Sequence, residues 1–208
     1  MDNQIIGLFP TPLLRVEQCV SASVLAQLRV ELEAGAFAHN SKSDKLSHTA
    51  ILAPREHPLL ASVCEQIMPK IADLGELMFG QQLPWAIKEI WANVLEHGGS
   101  QAVHNHANSF ISGILYLTES DPSSSTVFMK SLGGRDFAFV NAHPDARMGP
   151  FNADKWVAPE PAPGDLLLFP SYLLHEVPPN QGERRVSLAF NAIPQRLEAW
   201  GYGISFAG

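Results

Sequence analysis

The 208-residue sequence predicts an α+β protein, mainly β, in which helices pack on one side of an antiparallel barrel or jelly roll. Apolar residues recur at helical spacing in the first part of the chain, whereas short strand-like segments follow from residue 85. The 16 prolines and 15 glycines are spread along the chain, which indicates many turns. We therefore expect a single domain, with an N-terminal arm and helices (1–84), a β core (85–193) and a C-terminal tail (194–208).

The chain begins with an apolar arm and a first helix. Residues 5–16 are apolar but contain two prolines, which is typical of an edge strand or an extended arm. Ser21 or Ser23 is placed to cap a helix that stops at Gly35. The apolar face of this helix consists of Val24, Leu25, Leu28 and Leu32. Residues 37–55 are polar and irregular, so we expect no regular element there.

A second helix is predicted to begin at Pro58, because proline is favoured in the first helical turn. Its apolar residues at helical spacing are Leu59, Leu60, Val63, Ile67, Ile71 and Leu74. Pro69 lies inside this pattern and should kink the helix or divide it in two. Gly80 marks its end.

Strand patterns then dominate. Residues 85–95 alternate, with Ile87, Glu89, Trp91 and Asn93 on one face and Ala86, Lys88, Ile90 and Ala92 on the other. Further strands are predicted at 106–117, 166–169 and 185–193. Residues 129–157 are punctuated by glycine and proline and are too long for a simple hairpin loop, which is typical of a lid or substrate loop. Its Arg135, His143 and Arg147 could meet an anionic substrate, although a solvated loop is the simpler interpretation.

Composition narrows the function classes. The net charge of −7 lacks the basic footprint of a protein that binds nucleic acid or anionic membrane, so a nucleic-acid partner is disfavoured. Cys19 and Cys64 match no zinc spacing, and we interpret them as two buried thiols of a reduced intracellular protein. The acidic, proline-broken N-terminus is unlike a signal peptide, and no apolar run approaches the roughly 20 residues of a membrane span. We expect a cytoplasmic protein; nothing here indicates an oligomeric state.

Three of the eight histidines form a candidate metal site. His104 and His106 are two residues apart at the mouth of a predicted strand, where residues i and i+2 point to the same face. His175 ends the apolar segment GDLLLFPSYLLHEV, and an imidazole there is costly to bury without a partner. Imidazole nitrogen suits iron, zinc, copper or nickel, although each histidine alone could equally be a satisfied core residue. The remaining histidines are assigned to the surface: His39, His48, His57, His97 and His143.

A second constellation follows ten residues after His175. Arg185 and Ser187 share a strand face with Ala189 and Asn191. Arginine offers a bidentate fork and serine a hydroxyl, which suits them to gripping a carboxylate. The alternative is that Arg185 merely pairs with a surface acid. In that case Arg184 is an equally good candidate for the carboxylate grip, and only the alternation of side chains along the strand distinguishes Arg184 from Arg185.

These motifs resemble the 2-oxoglutarate/iron(II)-dependent dioxygenases. That family carries His-x-Asp/Glu, a distal histidine, and Arg-x-Ser about ten residues beyond it. Here HNH, His175 and RVS fall in the same order. More closely, about residues 85–193 resemble a bacterial and phage group of 2-oxoglutarate oxygenases, related to prolyl hydroxylases. The segments that carry this resemblance are WAN (91–93), HNHANSFISGILYL (104–117), PGDLLLFPSYLLHEVPPN (163–180) and RRVSLAFN (184–191).

The resemblance implies a double-stranded β-helix, a jelly-roll or cupin-like barrel, as the core. It also implies Fe(II) on the triad, chelated by 2-oxoglutarate whose far carboxylate is bound by Arg185 and Ser187. Tyr116 is an even number of positions from His104 and His106, so in one continuous strand it would point to the same face. We expect it to reach the same cavity and to bind the cosubstrate, although a tyrosine buried in the core is as good an interpretation. Asn93 and Asn191 are weaker candidates for lining this cofactor-binding pocket.

One departure from the family pattern concerns the second ligand, where His106 replaces a carboxylate. Asn105 points the opposite way in an extended strand, and the nearest acids are Asp121 and Glu176. Glu176 adjoins His175 and therefore faces away from it. We accordingly predict that the iron is held by three histidines: His104, His106 and His175.

The resemblance thus implies an oxidoreductase that couples oxidative decarboxylation of 2-oxoglutarate, with O2, to hydroxylation of a second substrate. A protein side chain or a small molecule is the expected substrate. Two alternatives stay open. One is a three-histidine dioxygenase without 2-oxoglutarate, of the thiol dioxygenase or cupin type. The other is a non-catalytic barrel module that binds a metal or ligand.

Overall fold

The computed structural model describes residues 4–40, 45–130 and 143–206. Two α-helices, α1 (Ala22–Glu33) and α2 (Pro58–Phe79), and two 3-10 turns, Pro54–Glu56 and Pro122–Ser124, lie within these ranges. The described strands are β1 (Leu14–Val16), β2 (Ala38–His39), β3 (Leu46–His48), β4 (Trp85–Leu95), β5 (Gln101–His104), β6 (Ile111–Tyr116), β7 (Val127–Met129), β8 (Lys155–Val157), β9 (Leu166–Pro170), β10 (Leu174–Val177), β11 (Arg185–Pro194), β12 (Arg196–Ala199) and β13 (Tyr202–Ser205).

Two antiparallel sheets form the body of the protein. The larger has seven strands in the order β1-β9-β6-β11-β4-β3-β2, and the smaller has four in the order β5-β10-β7-β8. An apolar cluster between them joins residues of β6 and β9 to Phe128 of β7. This confirms the prediction of a mainly β, jelly-roll architecture within the α+β class.

The two helices cover the outer face of the seven-stranded sheet, as predicted. The strand β6 shows why this face must be covered, because its residues are buried on both sides of the sheet. Ile111 and Leu115 belong to the cluster that includes both helices, whereas Ile114 and Tyr116 point toward the smaller sheet. The helices contribute a continuous apolar stripe that consists of Leu25, Leu28, Leu32, Leu60, Val63, Ile67, Ile71 and Leu74. Burial of each such side chain stabilises the fold by about 1.5–3 kcal/mol, so the helical layer is an integral part of the core.

Pro69 does not divide α2, which runs unbroken for 22 residues. The buried stripe continues on both sides of the proline, from Leu60 to Leu74, and this packing compensates for the missing backbone hydrogen bond. The helix ends at Gly80 as predicted. Gly80 has a φ of 71°, and its N–H donates to the carbonyl of Glu76 at 2.7 Å.

Residues 37–55 and the C-terminal tail both contain short strands. Residues 37–55 contain β2 and β3, and β3 pairs with β4 through Leu46, Ser47 and His48, so the prediction of no regular element is wrong. The C-terminal tail contains the β12–β13 hairpin. The sequence pattern did not indicate β2 and β3, because strands at the edge of a sheet need few apolar side chains and these two are largely polar.

The N-terminal arm and the two cysteines are both described by the structure. The apolar arm supplies the edge strand β1, which pairs with β9. Cys19 and Cys64 are free and half-buried. Burial raises the pKa of both thiols, that of Cys64 to about 11, which suppresses the reactive thiolate.

Among the described helices, none has the length and apolar character needed to cross a bilayer.

Candidate metal centre

Three histidine side chains converge at the edge of the smaller sheet. His104 is the last residue of β5, and it lies directly opposite His175 of the neighbouring strand β10. Their ring centroids are 4.2 Å apart, and the His106 ring lies 5.1 Å from His104 and 5.2 Å from His175. One ligand atom from each residue falls within 4.8 Å of the other two. This spacing allows one metal ion to contact all three.

His106 reaches the cluster by a different route from the one predicted. The strand expected at 106–117 is shorter, because β5 stops at His104 and β6 begins only at Ile111, in the other sheet. Between them the chain turns through Asn108, which has a φ of 56°. The His106 N–H donates to the carbonyl of Ser171 at 3.0 Å, and this bond holds the loop in place. Strand parity was therefore the wrong reason for placing His106 beside His104, although the two side chains do meet.

Hydrogen bonds fix the orientation of two of the three imidazoles. The Nδ1 of His104 lies 2.8 Å from the carbonyl oxygen of Ala102, and the Nδ1 of His175 lies 2.9 Å from that of Leu173. Since a carbonyl oxygen only accepts, Nδ1 carries the proton in both rings. Each Nε2 then keeps its lone pair, which is the arrangement of a metal-binding histidine.

The Nδ1 of His106 instead faces a side chain, the amide of Asn191, whose Nδ2 lies 3.4 Å away. That amide is itself held on both sides, since its Oδ1 accepts from Ser112 at 2.7 Å and its Nδ2 donates to Glu89 at 2.6 Å. His106 is thus coupled to a polar network rather than to the backbone.

Burial keeps these histidines neutral. It lowers the pKa of His175 to about 3, with further contributions from the neighbouring histidines, and that of His106 to about 4. The pKa of His104 is lowered by burial as well. The cluster is therefore uncharged at neutral pH, and the Nε2 lone pairs of His104 and His175 suit it to binding a cation.

The histidines border a cavity of about 530 Å³ between the two sheets. Both His104 and His106 line it, whereas His175 is only 3% exposed and is not part of the lining. The other lining residues are Asn40, Leu46, His48, Thr49, Ala50, Ile51, Glu89, Trp91, Asn93, Leu95, Gln101, Ile114, Val177, Arg185, Ser187, Ala189 and Asn191. The predicted candidates Asn93, Arg185, Ser187 and Asn191 thus come together with two of the histidines around one space.

Arg185 points into this interior, and Arg184 points out of it, as the strand phase predicted. Arg184 contacts Glu33 and Glu96 on the surface. Arg185 is 5% exposed, donates from Nη1 to the carbonyl of Ser124 at 3.0 Å, and leaves its buried Nε without a partner. No carboxylate of the described residues forms an ion pair with it. A buried guanidinium without an anion is costly, so this site fits a carboxylate ligand.

Tyr116 lies beside this arginine rather than in the lining of the cavity. It is fully buried, its hydroxyl lies 3.3 Å from Thr126 Oγ1, and its ring is 4.9 Å from the Arg185 guanidinium carbon. Because Tyr116 belongs to β6 and the histidines do not, the parity argument that linked them is wrong. The contact indicates that Tyr116 supports Arg185 through a cation–π interaction.

The nearest acids in sequence lie elsewhere. Glu176 contacts Lys155 at 3.6 Å, and Asp121 accepts hydrogen bonds from Ser123. Among the described residues, the group of metal-binding type at this position contains histidines only. These findings support a site without a carboxylate ligand.

Two cavity residues were missed as functional candidates. His48 was assigned to the surface, but β3 brings it half-buried into the cavity wall opposite Asn93. Glu89 was placed on the same face of β4 as Trp91 and Asn93 by its alternation, but it was not named as a site candidate. In the long loop, His143 and Arg147 are exposed and do not line the cavity, and Arg135 lies outside the described residues.

A jelly-roll barrel with converging imidazoles, and with a buried arginine that forms no ion pair with a described carboxylate, is typical of a metal-dependent enzyme that takes a carboxylate. Comparison with known families agrees. Residues 89–191, from within β4 to within β11, match a family model described as "Putative 2OG-Fe(II) oxygenase". The matched region belongs to this family, the 2-oxoglutarate/Fe(II)-dependent oxygenases. No curated protein matches the sequence significantly.

Solved structures with the same fold include HygX from Streptomyces hygroscopicus with nickel and 2-oxoglutarate bound (TM-score 0.66, 14% identity, 88% of this chain and 83% of that chain). A Pseudomonas putida prolyl-4-hydroxylase is similar over 87% of this chain and 92% of that chain (TM-score 0.55, 19% identity). A 2OG-Fe(II) oxygenase family protein from Burkholderia pseudomallei gives a TM-score of 0.60 at 15% identity, over 88% of this chain and 83% of that chain. At these identities the likeness shows the fold.

Proposed function

We propose that His104, His106 and His175 hold the catalytic Fe(II), and that Arg185 and Ser187 bind the distal carboxylate of 2-oxoglutarate. The observation that carries this proposal is the buried Arg185, whose Nε lacks a partner while its side chain lines the same cavity as the histidines. An anion in that cavity would satisfy the guanidinium. When bound, the iron supplies the activation of O2 that is coupled to decarboxylation of the cosubstrate.

Each proposed residue has a positioning task that its contacts support. The backbone carbonyls that accept from the Nδ1 atoms of His104 and His175 fix both rings and leave each Nε2 atom with a lone pair for the metal. Tyr116 supports the face of Arg185, and the carbonyl of Ser124 fixes one of its nitrogens, so the remaining N–H groups form a preset fork. Asn93 and Asn191 add polar groups to the wall of the cavity.

Three neutral imidazoles leave both positive charges of Fe(II) uncompensated by the protein, unlike a site with a carboxylate ligand. We therefore infer that the centre favours an anionic chelator, and 2-oxoglutarate is one. It follows that the metal is held less tightly than in the carboxylate form, so zinc or nickel competes during purification.

For the second substrate we favour a small molecule or a single protein side chain that hydroxylation would modify. A cavity of about 530 Å³ has the size of a small-molecule site, and part of its wall comes from residues 46–51, before the matched family region. Related structures contain small molecules, hygromycin B in HygX and nogalamycin RO in SnoN. The half-buried free thiols support a cytoplasmic location.

The test uses anaerobic protein with Fe(II) and 2-oxoglutarate. We expect a visible charge-transfer band, and succinate formation that needs both oxygen and the protein. Absence of both would refute the use of 2-oxoglutarate. Oxygen consumption with a thiol and without 2-oxoglutarate would instead identify a thiol dioxygenase, and a protein that binds metal without any turnover would identify a binding module.

A further inference from the structure

The cavity is electrostatically polarised along its length. Among its described lining residues, Glu89 is the one acid and Arg185 the one arginine or lysine. The two lie well apart along the same strand pair, since Glu89 is opposite Asn191 on β11 and Arg185 is opposite Leu95 on β4. Asn191 and Arg185 are six positions apart, which corresponds to roughly 20 Å along a strand. A dicarboxylate that extends from Arg185 toward the histidines therefore leaves the acidic end of the cavity, which adjoins His106 through Asn191, for a second ligand.

The Glu89 carboxylate is held in place by buried groups. Its Oε1 accepts from Asn191 Nδ2 at 2.6 Å, and the Asn191 amide is only 1% exposed and is fixed by Ser112. Among the described residues, both contacts of the carboxylate, with Asn191 and with Lys88, go to Oε1 and none goes to Oε2. Such a preset, half-buried acceptor suits a charged donor on a ligand.

An aromatic wall adjoins this carboxylate. Trp91 lies two residues along β4 on the same face, and its ring centroid is 6.0 Å from that of His106. Its Nε1 donates to Asn93 Oδ1 at 3.2 Å, so the polar edge of the indole is satisfied. An indole beside a carboxylate attracts cations through both its ring face and the neighbouring charge.

We propose that this end of the cavity, formed by Glu89 and Trp91, binds a protonated amine or guanidinium group of the second substrate. This inference rests on the proposed function and adds the substrate class to it. The charges support it: 2-oxoglutarate cancels the charge of Fe(II), Arg185 adds one positive charge, and Glu89 supplies the negative charge that makes a further cation acceptable.

Lys88 does not occupy this position. Its ammonium lies 3.5 Å from Glu89 Oε1 and also donates to the carbonyl of Asn108 at 3.3 Å, and it is absent from the cavity lining. An ion pair at such a surface contributes little, so it does not prevent the carboxylate from binding a second cation.

The experiment uses the full chain loaded with Zn(II) and 2-oxoglutarate, which binds ligands without turnover. Benzylammonium, benzyl alcohol and benzoate serve as probes of nearly equal shape and different charge, with affinity measured by NMR titration. We expect benzylammonium to bind at least about tenfold more tightly than the other two, and Glu89→Gln to remove this preference, because a charged hydrogen bond is lost.

Glu176→Gln is the matched control, because Glu176 is similarly exposed (25% against 29%) and adjoins a histidine of the cluster, yet lies outside the cavity lining. It should leave the preference unchanged. Equal binding of the three probes, no binding of any probe, or full retention of the preference in Glu89→Gln would overturn the inference. If Glu89→Gln weakens Zn(II) binding and leaves the preference intact, the residue serves the metal instead. Failure of the wild-type chain to bind Zn(II) or 2-oxoglutarate would refute the proposed function itself.

Discussion

Replacing Arg185 by methionine removes a buried guanidinium while largely preserving the volume of its stem. In the structure, Nη1 is committed to the Ser124 carbonyl, and Nε is buried without a partner. We expect a carboxylate to take two hydrogen bonds from the remaining fork. Hydrogen bonds to charged groups contribute about 1.5–3 kcal/mol each, so their loss should weaken 2-oxoglutarate binding by about 3–6 kcal/mol, or roughly 10²- to 10⁴-fold.

Calorimetry with the Zn(II)-loaded protein measures this loss directly, and metal content measured alongside should stay near that of the wild type. Unfolding of the ligand-free variant gives a second readout. Because the wild-type guanidinium is a buried charge that pairs with no carboxylate of the described residues, Arg185→Met should leave the free energy of unfolding unchanged or raise it.

Arg184→Met is the control, since this neighbour contacts surface acids and should change 2-oxoglutarate affinity less than about twofold. The reasoning is refuted if Arg185→Met binds 2-oxoglutarate as tightly as the wild type. It is also refuted if the variant loses its metal, because Arg185 would then support the histidine cluster.

Three further predictions concern the cluster and the core. His104→Ala and His175→Ala should each abolish stoichiometric metal binding, measured by chelator competition, because each removes one of the three ligand atoms that lie within 4.8 Å of one another. In the folded protein the pKa of His175 is lowered to about 3 and that of His106 to about 4. In the unfolded chain both histidines have an ordinary pKa of about 6.5, so below that pH the unfolded chain binds protons that the folded protein does not. The metal-free protein should therefore lose up to about 1.4 kcal/mol of stability per pH unit per histidine between that pH and 4, measured by urea unfolding. Gly113→Ala should lower the free energy of unfolding by about 1–3 kcal/mol, because its Cβ would collide with the Phe190 ring.

Each of these has a matched control. His39→Ala, at an exposed histidine outside the cluster, should leave metal binding unchanged. The acid-induced loss should be smaller in His175→Gln, and an equal slope in that variant would contradict the pKa argument. Gly149→Ala meets only an ordinary contact with Asn152, so a loss of stability equal to that of Gly113→Ala would exclude the steric explanation.

Local patterns in the sequence were sufficient for much of the scaffold. The helical repeat located α1 and α2 and their buried face, because a helix packed on one side needs an apolar residue every three to four positions. Alternation along β11 separated Arg185 from Arg184, because a buried strand sends successive side chains to opposite faces. These inferences needed no knowledge of what lies across the sheet.

The sequence also indicated the histidines themselves, but only tertiary structure showed how they meet. Pairing of β5 with β10 brings His104 to His175 across 71 positions, and a hydrogen bond to Ser171 carries His106 round a turn to join them. The same long-range pairing places His48 in the cavity wall and Asn191 beside Glu89. A two-residue repeat reports the face on which a side chain lies. The identity of its neighbour depends on strand order and register, which are set by packing of the whole core and leave no local signal.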